Sequence, residues 1–130
     1  MPRIGRYWDD HGGIYAGISV GADCDYHVIL CDDKNLRDII YLNAIQWTDA
    51  LCIRAHGGFK DWKLPTRQQA ALLYANLQDQ FEDKWYWTRD KYPPDIENCM
   101  WVQTFGYGRQ ADARKTDACR ARAVRVEKCE

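Results

Sequence analysis

The stretch Gly57-Gly58-Phe59-Lys60-Asp61-Trp62-Lys63-Leu64-Pro65-Thr66-Arg67-Gln68-Gln69 decides most of the reading. Thr66 and Gln69 stand three apart, the spacing of a capping box. There the hydroxyl accepts from the backbone N–H of Gln69, and the Gln69 amide reaches back to the N–H of Thr66. Pro65 disfavours helix immediately before the cap. Ala70, Leu73, Tyr74, Leu77 and Phe81 then recur at helical spacing, which predicts an amphipathic helix beginning after Thr66. Trp62 and Leu64 are expected to anchor the preceding loop in the core. Asp61 and Arg67 are expected to form an ion pair or to bond to the backbone.

Upstream, Asn43 can cap a first helix, with Ala44, Trp47, Leu51 and Ala55 near one face. Gly57-Gly58 would stop it. Residues 36–42 fit strand or helix equally. Residues 13–30 read as a β-hairpin. Ile14, Ala16, Ile18 and Val20 alternate with Tyr15, Gly17 and Ser19, and turn chemistry follows at Gly21-Ala22-Asp23-Cys24-Asp25. Downstream, Trp85-Tyr86-Trp87-Thr88 is a short aromatic strand. Residues 99–105 form another, with Trp101, Gln103 and Phe105 on one face and Met100, Val102 and Thr104 on the other. Residues 109–114 are a weak strand. In the last strand, residues 119–126, Cys119, Ala121 and Ala123 share a face that Val124 and Val126 do not. A bulge near Ala123 would reconcile them. The expected class is α+β in one domain over residues 1–130, with two helices packed on short antiparallel strands.

The balance of 18 basic and 19 acidic residues argues against nucleic acid as the partner. Acidic residues gather early, at Asp9, Asp10, Asp23, Asp25, Asp32 and Asp33. Basic ones gather late, at Arg109, Arg114, Lys115, Arg120, Arg122, Arg125 and Lys128. The late group reads as a solvated strand face, with an anion site as the other reading. No apolar run spans a bilayer, so no membrane insertion is expected. Met1-Pro2-Arg3-Ile4-Gly5-Arg6 lacks the apolar core of a signal peptide, so residence in the cytoplasm of a cell rather than secretion is expected. In that compartment Cys24, Cys31, Cys52, Cys99, Cys119 and Cys129 default to free thiols, a Cys24–Cys31 bridge across the hairpin being the alternative.

Little in the chain points to catalysis. There is no nucleophile elbow, phosphate loop or paired-histidine zinc helix. His11, His27 and His56 have no metal partner at zinc spacing, and Asp9-Asp10-His11 reads as a solvated turn. Pro94-Asp95-Ile96-Glu97-Asn98 offers oxygens for calcium, but no W-N-D follows. The expectation is no catalytic residue, no metal and no cofactor.

Aromatics make up 13% of the chain, and strand alternation cannot bury all of them. Of Trp85, Tyr86, Trp87, Tyr92, Trp101, Phe105 and Tyr107, Trp87 and Trp101 are expected in the core. The candidate binding surface comprises Arg89, Asp90, Tyr92, Gln103, Tyr107 and Arg109.

Four motifs in order carry a family resemblance. The opening stretch resembles the D-W-R-L-P-T-R-x-E signature of the C-terminal domain of collagen-like proteins, the Lcl-C family common in phages and prophages. Its matching positions here are Asp61, Trp62, Leu64, Pro65, Thr66, Arg67 and Gln69. Gln46-Trp47-Thr48-Asp49-Ala50 is similar to the family's W-x-D-A helix start. Trp85-Tyr86-Trp87-Thr88 is similar to its aromatic strand, and Arg122-Ala123-Val124-Arg125 to its closing strand. Gly12-Gly13-Ile14-Tyr15-Ala16-Gly17 resembles a phage-type opening. Gln69 departs from the family's Glu, and Trp87-Thr88-Arg89-Asp90 departs from W-S-S-E.

The resemblance implies a C-type-lectin-like fold with adjacent N- and C-terminal strands. It also implies a non-catalytic module that binds a host protein or cell-surface ligand, as a tail-associated or receptor-binding accessory. An intracellular inhibitor of a host factor, such as a defence system, is the alternative. A metal-dependent lectin, or an oxidase like the family's distant sulfatase-modifying relatives, is the third. The oligomeric state is not legible.

Overall fold

The hairpin is where the sequence pattern puts it, with one strand added in front. The computed structural model of the chain describes residues 2–130. Strand β1 (Tyr7–Trp8) pairs with β2 (Gly13–Val20), which turns back into β3 (Asp25–Leu30). The alternation expected along β2 does not hold. Tyr15 faces Ile29 and Gly17 faces Val28, so Ala16 is an extra residue at a bulge. Beyond it the faces exchange, and Ile18 and Val20 are 44% and 69% exposed.

Residues 35–53 resolve the strand-or-helix ambiguity as both in turn. Strand β4 (Asn35–Ile39) runs into helix α1 (Tyr41–Ile53). The helix starts before Asn43, without a side-chain cap. The Tyr41 N–H, which has no partner within its own helix, donates instead to the Lys115 carbonyl at 3.0 Å. Ala44 and Leu51 are buried as expected, together with Thr48. Ala55 lies past the helix end in a left-handed conformation.

Helix α2 (Arg67–Leu77) starts at the expected capping box. The Gln69 N–H donates to Thr66 Oγ1 at 3.1 Å, and the Thr66 N–H donates to Gln69 Oε1 at 3.0 Å. Thr66→Ala should cost about 1 kcal/mol in urea unfolding. A loss below about 0.3 kcal/mol would show that the helix start is held by packing alone. Phe81 lies outside the helix and stacks on Phe105, centroids 3.9 Å apart.

The chain then forms β5 (Trp85–Lys91), β6 (Cys99–Thr104), β7 (Gln110–Arg114), β8 (Cys119–Ala121) and β9 (Val124–Lys128). Two sheets result, in the orders β1-β2-β3-β9 and β4-β8-β5-β6-β7. Pairing is antiparallel except where β5 meets β8 in parallel at Tyr86 and Arg120. The expected single strand over residues 119–126 is in fact two. At Arg122 and Ala123 the chain leaves one sheet and enters the other, which explains the change of apolar phase better than a bulge does. Strands β2 and β9 share a sheet with β3 between them, so the N- and C-terminal strands lie close, as expected.

The molecule is therefore α+β, with the helices on opposite sides. Leu73 and Leu77 of α2 pack with Ala16, Val28, Leu30, Tyr86 and Phe105. Ala44 of α1 packs with Leu64, Trp87, Met100 and Val102, and Leu51 packs with Ile29, Cys31 and Trp62. Among the described residues no helix is long and apolar enough to cross a membrane.

All six cysteines are free. Burial pushes the Cys31 and Cys119 thiols up to about 12. Both groups are held protonated in the fold above the pH at which an unfolded chain releases them. Stability should thus be level below about pH 8 and fall as pH rises past about 9, by up to about 1.4 kcal/mol per pH unit for each thiol. Urea midpoints measured across that range test this, and Cys119→Ala should flatten the fall.

Candidate functional site

The signature stretch forms a strap between the two sheets. Lys63 pairs with Val124 of β9 through N–H to carbonyl bonds of 2.9 and 2.7 Å. That alternation turns Trp62 and Leu64 inward, and both are buried as expected. The Trp62 indole N–H donates to the His56 carbonyl at 2.9 Å. Next along, the Pro65 carbonyl accepts from the Arg89 N–H at 2.8 Å, and the Leu64 carbonyl accepts from the Arg89 guanidinium at 3.1 Å. Burial lowers the pKa of Arg89, with the neighbouring Asp90 acting the other way.

Asp61 and Arg67 do not pair. Asp61 bonds to the Arg125 guanidinium at 2.8 Å. Arg67 begins α2, which turns its side chain toward β6 and β7. Its backbone N–H donates to Asp90 at 2.7 Å, and its Nε donates to Gln110 Oε1 at 2.9 Å. Gln110 returns a bond to the Arg67 carbonyl at 2.9 Å and gives another to Gln103 Oε1 at 2.8 Å. The Arg67 guanidinium carbon sits 3.5 Å from the centre of the Trp101 ring. Tyr92 meets the same ring edge-on at 5.0 Å.

Arg67, Asp90, Tyr92, Trp101 and Gln110 thus form one ordered platform, with Arg89 beneath it. Two expectations for this region need correction. Gln103 is 1% exposed and donates to the Ala70 carbonyl at 2.7 Å, so it packs the sheet on α2 and is not a surface residue. Trp101 is half-buried, not core, because α2 has only its first residue, Arg67, left to cover the ring. Trp87 is core, as expected, and Trp47 is half-buried against the same cluster. Tyr107 is 63% exposed and Arg109 is exposed; both lie in the turn past the Gln103–Gln110 pair, at the far end of β6 and β7.

The late basic stretch is not a uniformly solvated face. Arg122 and Arg125 are 2% and 5% exposed. Arg122 donates to the Cys31 carbonyl at 2.9 Å and to the Gln80 carbonyl. Arg125 bonds to Asp61, to Glu127 at 3.1 Å and to the His11 carbonyl at 3.0 Å, with Phe59 beneath its plane at 3.6 Å. Both flank the crossing between sheets, where backbone carbonyls need donors that neither sheet supplies.

Apart from the platform, a recess of about 620 Å³ lies between Trp8, His11, His27, Glu127, Lys128 and Glu130. His11 pairs with Glu127 and lies against Trp8, ring centres 3.6 Å apart. The Tyr15 hydroxyl and His27 Nδ1 are 2.9 Å apart. Sequence reasoning missed this group because Trp8 and His11 come from the start of the chain and Glu127 and Lys128 from its end. Only the apolar-polar alternation of residues 124–128 hinted at a strand there. The recess brings two imidazoles and two carboxylates together. No protein-family model matches the chain, and no curated protein matches it.

Proposed function

We propose that the chain is a non-catalytic recognition module of phage or prophage origin, related to the Lcl-C domains and sharing their C-type-lectin-like fold. It binds a host protein or a cell-surface ligand, as a tail-associated or receptor-binding accessory. One observation carries this reading: Trp101 is held partly exposed between the Arg67 guanidinium and the Tyr92 ring. A tryptophan already ordered by its neighbours loses little conformational entropy on binding, and tryptophan, tyrosine and arginine are the side chains that dominate interface energetics. Asp90 and Gln110 hold Arg67 in place and add polar selectivity. The two helices on opposite sides of the sheets and the shared sheet of the terminal strands support the fold assignment.

Labelled protein should bind host cells, or a glycan array, saturably. Trp101→Ala and Arg67→Ala should each weaken that binding at least about tenfold while the circular dichroism spectrum is kept. Absence of any cell-surface ligand, together with absence from purified virions, would sink the reading. A stable stoichiometric complex from host lysate would instead favour the intracellular inhibitor.

A further inference from the structure

Away from the platform, Cys31, Asp32 and His56 converge. Cys31 and Asp32 follow directly on β3. His56 comes from the loop after α1. The Cys31 sulfur, a carboxylate oxygen of Asp32 and an imidazole nitrogen of His56 all lie within 4.8 Å of one another. His56 Nε2 and Asp32 Oδ1 are 2.7 Å apart. We propose that these three side chains form a zinc site, with the fourth position open to water.

The donor set is the one that zinc selects: one thiolate, one imidazole and one carboxylate. Bond lengths of about 2.0–2.3 Å in a tetrahedron place donors about 3.5 Å apart. The gaps to the sulfur therefore need to close by about 1.3 Å at most, and the His56–Asp32 pair, 2.7 Å apart, needs to open by about 0.8 Å; Asp32 is exposed and His56 half-buried, so both side chains can turn to do so. The sulfur is the fixed corner. Cys31 is fully buried; its N–H donates to the Ala123 carbonyl at 2.9 Å and its carbonyl accepts from Arg122.

The backbone at His56 is held in place, while its ring stays free to turn. Its carbonyl accepts from the Trp62 indole, and its ring meets Trp62 edge-on at 6.1 Å. The neighbouring Gly57 has φ +65°, and a Cβ there would stand 2.4 Å from the Gly12 carbonyl oxygen, so the loop is seated on the start of β2. Ala55 on the other side is left-handed. Asp33 is engaged by Arg54, which leaves Asp32 as the carboxylate for the ion. On binding, the metal takes the place of the Cys31 proton, which leaves to solvent. The ion ties the end of β3 to the loop that leads into Asp61 and Trp62.

Cobalt(II) is the probe, with zinc as competitor, on the full chain kept reduced by a phosphine. One cobalt per chain should bind, with a thiolate-to-cobalt charge-transfer band in the near ultraviolet and tetrahedral bands in the visible. Zinc should displace it and raise the melting temperature. Cys31→Ser should abolish the near-ultraviolet band. His56→Gln and Asp32→Asn, on the accessible side, should each weaken binding about a hundredfold. Cys52→Ser and Cys119→Ser should leave the spectrum intact. The proposal is overturned if the folded protein gives no thiolate band, or if the band survives Cys31→Ser. It is equally overturned if His56→Gln and Asp32→Asn bind as the parent does, a comparison that holds even where Cys31→Ser does not fold.

Discussion

Trp87→Ala should lower stability by about 3–5 kcal/mol, a cost set by the lost transfer energy of a large ring and by the cavity it leaves. Trp87 is fully buried in the cluster of Ala44, Leu64, Met100, Val102, Cys119 and Ala121. That cluster joins α1, the signature strap and three strands, so the site has few ways to collapse. Tyr41 packs edge-on against the indole at 5.3 Å, and the indole N–H donates to the Ile39 carbonyl at 2.8 Å. Single domains have about 5–15 kcal/mol in total, so the variant should be marginal, with its melting temperature lowered by roughly 10–20 °C. Trp87→Phe separates the two contributions. It keeps most of the packing and leaves the Ile39 carbonyl without its donor, for a loss of about 1–2 kcal/mol. Equilibrium urea unfolding measures both. A cost below about 1.5 kcal/mol for Trp87→Ala would contradict the packing described.

Arg122→Met should cost about 3 kcal/mol, although it keeps the length and apolar stem of the side chain. The guanidinium donates to the carbonyls of Cys31 and Gln80 from a fully buried position. It also lies 4.9 Å from the centre of the Phe81 ring. Burial lowers its pKa, yet an arginine stays charged throughout the accessible pH range. Hydrogen bonds from a charged donor contribute about 1.5–3 kcal/mol each, and their removal strands two acceptors inside the protein. Arg122→Lys should recover less than half of the loss, because one ammonium cannot reproduce a planar fork that reaches two segments. If Arg122→Met matches the parent within about 0.5 kcal/mol, water replaces the guanidinium at both carbonyls. The crossing between sheets would then not depend on this side chain.

The signature stretch shows where sequence reading succeeds and where it stops. Thr66 and Gln69 were legible as a helix start because both bonds of the capping box close within three residues. Trp62 and Leu64 were legible as core because large apolar side chains in a loop are expected to anchor it, and both are buried. The partners of Asp61 and Arg67 were not. Proximity in the chain suggested that they pair, whereas Asp61 finds Arg125 and Arg67 finds Gln110. The binding surface behaved in the same way. Tyr107 and Arg109 were correctly read as accessible, but Gln103 is buried and Trp101 is not fully so. Polarity suggests exposure, and only the position of α2 decides which residues of β6 it covers.

The sequence by itself determined the α+β class, the hairpin over residues 13–30, the cap of α2 and the inward placement of Trp62, Leu64 and Trp87. These depend on turn chemistry, side-chain alternation and hydrogen bonds between near neighbours. The tertiary structure alone decided the bulge at Ala16, the division of the last strand into β8 and β9, and the burial of Arg122 and Arg125. It also decided the meeting of Cys31 with His56. Arg122 reaches a carbonyl 91 residues away and Arg125 one 114 residues away. No local period encodes such a contact, because its geometry is set only once both sheets and both helices have closed around it.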